Sequence, residues 1–172
     1  MRQRAAALAL LAVAPSTAVG LLVLTGGLGP GLPGLPDPGS VTRVGLPVTQ
    51  ALRDLAAMAT VGMLVLAVTC VAVPDGDPSG RLSGPARRLV DLGGRAALLW
   101  VGTGAALIAF TFSDASGSPV SASGFVNQTM FFATEYELGR YLVWGGAIAA
   151  LVSFMALASA SVRVVGPAAV LA

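Results

Sequence analysis

Apolar positions along this chain do not alternate with polar ones; they accumulate in runs. Four long runs stand out, from about Ala5 to Leu24, Leu55 to Val73, Ala96 to Phe112 and Leu138 to Ala158. Each approaches the ~20 residues that an α-helix needs to cross ~30 Å of hydrocarbon. None shows the period-two pattern of a lipid-facing barrel strand. The pattern therefore predicts an all-α integral membrane protein, a bundle of four transmembrane helices in one polytopic domain over residues 1–172. The closing stretch "VRVVGPAAVLA" reads like the beginning of a fifth span, as in an amino-terminal fragment of a longer protein.

The polar intervals set the loops. "GPGLPGLPDPGS" is too rich in Pro and Gly for helix or central strand. "PDGDPSGRLSGPARR" reads as a flexible connector with a basic end. "SDASGSPVSASGFVNQTMFFATEYE" is long, and its stretch Phe125–Ala133 is apolar enough for a short helix at the membrane surface. The first run also resembles a signal peptide, with Arg2 and Arg4 ahead of an apolar core. However, it continues to Leu28 without a polar end, and its small-residue "AVA" is followed by Pro15. A retained helix, kinked at Pro15, is expected. Arg placement sets orientation: Arg2, Arg4, Arg81, Arg87, Arg88 and Arg163 fall on one side, which puts the N-terminus in the cytoplasm of a multi-pass protein of the cytoplasmic membrane.

Composition agrees and narrows the chemistry. The 172 residues are 55% hydrophobic and 10% charged, against about a quarter charged in a soluble domain; mean hydropathy is +0.83. A net charge of +2 without a basic run interleaved with aromatics argues against nucleic acid. The chain has no His and a single Cys. That excludes Ser–His and Cys–His dyads, His-ligated metals and an intramolecular disulfide within it. No paired carboxylates or phosphate-cradling loop are in context, and an enzyme is not expected.

Helical wheels assign the packing faces. Asp91, Gly94, Arg95, Gly102, Ala105, Ala106, Ala109 and Ser113 share one side of the third run; Gly146, Ala149, Ala150, Ser153 and Ala160 share one side of the fourth. Small residues let membrane helices approach closely, so these faces are expected to point into the bundle. Asp91 and Arg95, at i,i+4, suit a local structural pair. Arg53 and Asp54 sit at the mouth of the second run, and two readings stand. Both are interfacial anchors, with Arg53 snorkelling to the headgroups. Alternatively, Asp54, on a stripe with Met58, Val61, Gly62, Val65 and Thr69, faces the bundle and pairs with Arg140, since charges within a membrane tend to be paired and functional.

Sulfur offers the metal candidates. Copper(I) prefers thioether and thiolate donors, and the chain holds Met58, Met63, Cys70, Met130 and Met155. Met58 and Met63 are about 140° apart around a helix, and Met63 and Cys70 share a face but lie ~10 Å apart along it. Packing is the ordinary role of such residues, and no compact site forms within one helix.

Four segments together, "LPDPG", "RDLAAMATVGMLVLA" (Arg53–Ala67), "TFSDASGSPVS" (Thr111–Ser121) and "ELGRYLVW" (Glu137–Trp144), resemble the amino-terminal membrane region of actinobacterial copper resistance protein D-like proteins, often fused to a caa3-type cytochrome c oxidase assembly domain. The resemblance covers about residues 30–172. It implies copper handling at the membrane, in transport or in supplying an oxidase, with the oxidase or further helices as protein partners. Fused members are longer, and this chain lacks His; the resemblance thus implies that metal ligands lie outside these residues. The other reading is a small, metal-free four-helix scaffold or anchoring subunit of a larger complex.

Overall fold

The computed structural model describes residues 13, 15–17, 19–26, 36–69, 84–158 and 170–171, which are helices and their connections with no strand among them. A short apolar helix α1 covers Pro15–Leu24. It is followed by α2 (Ser40–Thr69), α3 (Gly84–Ser116), α4 (Phe125–Glu135) and α5 (Glu137–Ala158). Three of them, α2, α3 and α5, are long and apolar enough to cross a membrane. The protein is an all-α membrane bundle. The expected short helix at Phe125–Ala133 is α4, and the expected fourth span is α5. The start of the first run, the connector after Thr69 and most of the closing stretch lie outside the described residues.

The largest departure from the sequence reading is α2. It begins at Ser40, about fifteen residues before the expected Leu55, and holds 30 residues with Pro47 inside. Thr42, Arg43, Pro47 and Gln50 hide this extension from an apolar-run reading. Pro47 removes one backbone N–H, a loss that membrane helices tolerate when neighbours re-satisfy the freed carbonyl. The start is secured locally: the Gly39 N–H donates to Asp37 Oδ1 at 2.9 Å, and Arg43 pairs with Asp37 at 2.6 Å. The Asp37 carboxylate also sits beside the positive end of the α2 dipole. Helix α3 likewise runs beyond 96–112 at both ends.

Two compact units divide the chain, residues 1–53 with 103–143, and residues 54–102 with 144–172. In the second unit, Leu64, Ala67, Val90, Ala97, Val152 and Ala156 form a fully buried cluster. Small residues bring its helices together. A Cβ on Gly93 would meet Leu64 at 3.2 Å, and one on Gly94 would meet Leu157 at 2.8 Å. Ser153 Oγ donates to the Gly94 carbonyl at 2.9 Å, so a hydroxyl in lipid surroundings has its partner.

The packing faces are partly as expected. Gly94, Ser113, Ala149 and Ser153 are buried, but Arg95, Gly102, Ala105 and Ala150 are exposed; Ala160 lies outside the described residues. The buried line of α3 instead passes through Val90, Ala97 and Gly104, seven residues apart, with Ala86 and Gly93 beside it. The expected side of α3 is turned well away from this line, since Val90 and Asp91 are adjacent and so about 100° apart around the helix. On α2 the seam is Thr42, Thr49, Ala56, Thr60, Leu64 and Ala67.

Candidate functional site

The first unit gathers three of the segments that carry the family resemblance. Pro36, from "LPDPG", packs on Gly117 of "TFSDASG" so closely that a Cβ there would overlap it. Thr42, three residues into α2, meets Ser113 of α3 with 2.6 Å between the hydroxyl oxygens. Ser113 Oγ donates to the Ser118 carbonyl at 2.7 Å; its single proton is thereby used, and Thr42 must be the donor to Ser113. Gly45 leaves room for the Phe110 ring. Gly139, from "ELGR", lies directly on the Phe132 carbonyl at the α4–α5 corner.

Aromatic rings fill the same end. Phe112 lies 5.4 Å from Phe125 and 5.8 Å from Phe132 between centroids, and Phe132 stacks on Tyr136 at 5.5 Å. Phe112, Phe132 and Tyr136, with Ser116, Asn127, Gln128 and Phe131, line an open cleft of about 580 Å³. It holds amide and hydroxyl groups beside the rings, so it can accommodate an apolar group and contribute hydrogen bonds.

The Thr42–Ser113 pair makes a direct test of this end. Thr42→Val and Ser113→Ala, alone and combined, are expected to show a coupling of about 0.6 kcal/mol, the average for hydrogen bonds between membrane helices, in reversible unfolding from detergent micelles. Strict additivity would show that the two hydroxyls do not interact.

The sulfur candidates do not converge. Met58 is 70% exposed, Met63 is half-buried on another face, Met130 is exposed and Met155 packs beside the buried cluster. Cys70 lies outside the described residues. Among the described residues no group of three or more His, Cys, Asp or Glu is placed to hold a metal ion. The donors among the described residues do not fit a copper centre.

Asp91 does form an i,i+4 pair, but with Arg87, at 3.0 Å, rather than with the expected Arg95. Arg87 is partly buried and Arg95 exposed; a guanidinium withdrawn from solvent needs a counter-charge more than one that keeps its hydration. Asp54 and Arg140 are each exposed, on α2 and α5 respectively, and Arg53 is half-buried. The stripe around Asp54 that was expected to face inward is exposed at Met58, Gly62, Val65 and Thr69.

On α3, Arg95 and Asp114 bracket 18 uncharged residues, a length of about 27 Å at 1.5 Å per residue, close to the ~30 Å of a hydrocarbon core. On α2, Asp54 is the last charged residue, followed by fifteen uncharged ones, 55–69.

Compared with models of known families, with characterised proteins and with solved structures, the chain matches none of them.

Proposed function

We propose that this chain is a non-enzymatic membrane module of copper handling, of the copper resistance D-like kind, acting in copper transport or in copper supply to oxidase assembly. What supports the reading is that, at one end of the first unit, two of the separate resembling segments meet directly, Pro36 on Gly117, and each is tied to the start of α2, Asp37 to Arg43 and Ser113 to Thr42. Short motifs scattered over a hundred residues acquire a common purpose when they build one connected end. In this reading the chain contributes helices and that ordered end, while copper, the cargo, is ligated by groups outside the described residues.

Deletion of the gene tests this. Lower copper tolerance, or oxidase deficient in copper, is expected, with recovery on re-expression. Unchanged tolerance together with a fully metallated oxidase would remove the copper reading. The second reading, a metal-free scaffold, is favoured by one observation: Met58 is open to the surroundings while Met63 is half-buried on a different face. Copper(I) titration of the purified protein separates the two, since a scaffold binds none.

A further inference from the structure

The cleft of about 580 Å³ beside the end of α3 lies within the first unit, since the residues lining it all fall between 103 and 143. Its volume is that of a small-molecule site, and so is its make-up of apolar walls with a few placed polar groups. The walls are aromatic rather than aliphatic. Phe132 is buried and stacks on Tyr136 at 5.5 Å, while Phe131 meets Tyr136 edge-on at 6.2 Å. Phe131 and Tyr136 are 60% and 56% exposed, so both rings keep surface free for contact. Asn127 and Gln128, in the first turn of α4, present exposed side-chain amides. Ser116 Oγ accepts from the Ser118 N–H at 3.2 Å, which leaves the hydroxyl its own proton to donate.

We propose that this cleft binds a lipid-soluble planar ring bearing carbonyl groups, the chemical class of the membrane quinones. Three features of the lining select that class. A conjugated ring gains offset or edge-on stacking with Phe131 and Tyr136 beyond what burial of area gives; an acyl chain would be served as well by Leu or Ile. The amides of Asn127 and Gln128 and the Ser116 hydroxyl can donate to ring carbonyls, whereas an acyl chain offers them no acceptor. Phe112 belongs to the uncharged stretch of α3 that ends at Asp114, and Ser116 lies beyond it. The wall of the cleft therefore changes from apolar to polar along its length, as a carbonyl-bearing ring on an apolar tail requires. Such binding needs no copper.

The experiment photolabels the full chain in phosphatidylcholine vesicles with an azido derivative of decylubiquinone and identifies the labelled peptides by mass spectrometry. Saturable label is expected within residues 125–136, displaced by excess decylubiquinone but not by decanol, which has the tail without the ring. Phe131→Ala and Gln128→Leu are each expected to raise the half-saturating concentration about two- to tenfold, the worth of one ring contact or one hydrogen bond. Both side chains are exposed, so neither change threatens the fold. Met130→Ala trims an exposed side chain of α4 that does not line the cleft, and it should label as wild type does. Decanol that displaces as well as decylubiquinone would make the cleft an acyl-chain groove and overturn the proposal. So would label that never saturates, half-saturation unchanged in both variants, or a loss in Met130→Ala equal to that in Phe131→Ala.

Discussion

Gly117→Val is expected to destabilise the protein by about 3–5 kcal/mol, from two independent causes. Gly117 ends α3 with φ at +65°, a left-handed conformation that costs an L-residue roughly 1–2 kcal/mol and a β-branched one more. A side chain there would also run into Pro36, with the Pro36 backbone carbon at 3.0 Å from the new Cβ, and overpacking of that kind typically costs 1–3 kcal/mol. Gly124 supplies the control. Its φ is +77°, but a Cβ there meets only Gln128 Nε2, at 4.0 Å. Gly124→Ala should therefore show the conformational cost alone, and Gly117→Ala the same cost plus the contact with Pro36. Thermal unfolding in mild detergent reads both. Equal losses at the two positions would mean that Pro36 does not press on Gly117.

The second large effect is expected at Gly139. It lies within α5 in an ordinary helical conformation, so the penalty is purely steric. A Cβ there would overlap the Phe132 carbonyl oxygen and stand 2.8 Å from Ala133 Cα. Both are backbone atoms, which cannot rotate aside as the end of a side chain would. Gly139→Leu is expected to cost about 3 kcal/mol or more and to open the α4–α5 corner, read as faster proteolysis between Ala133 and Tyr141. Gly145, one turn and a half further along the same helix, has nothing within 4 Å of an added Cβ. Gly145→Ala should leave the corner intact and gain up to about 1 kcal/mol of helix propensity. A Gly139→Leu protein as stable and as protease-resistant as Gly145→Ala would show that the corner is looser than its geometry.

Much of this fold is legible in the chain because hydropathy dictates it. The spans beginning near Ala96 and Leu138, the short helix at Phe125 and the role of small residues in packing follow from apolar runs and elementary membrane physics. What is not legible is register. Nothing local in "SVTRVGLPVTQALRD" announces a helix, since a Pro and several polar side chains interrupt the run. Its helicity depends on distant groups, Ser113 for Thr42 and Phe110 against Gly45. Partner choice also escaped the pattern: Arg87 and Arg95 stand at equal spacing from Asp91, and only burial distinguishes them. The candidate site was legible as motifs, whereas their convergence at one end of the first unit required the folded chain.

The depth of α2 in the bilayer is the measurement to make. Nitroxide labels at Gln50, Met58 and Leu66, one at a time on a Cys70→Ser background, report depth through the ratio of oxygen to nickel-chelate accessibility in vesicles. With the uncharged stretch 55–69 as the part of α2 within the hydrocarbon, Met58 and Leu66 should both read as deeper than Gln50. A profile with Gln50 as deep as Met58 and Leu66 at the surface would contradict that span and move the membrane-crossing part of α2 towards Ser40.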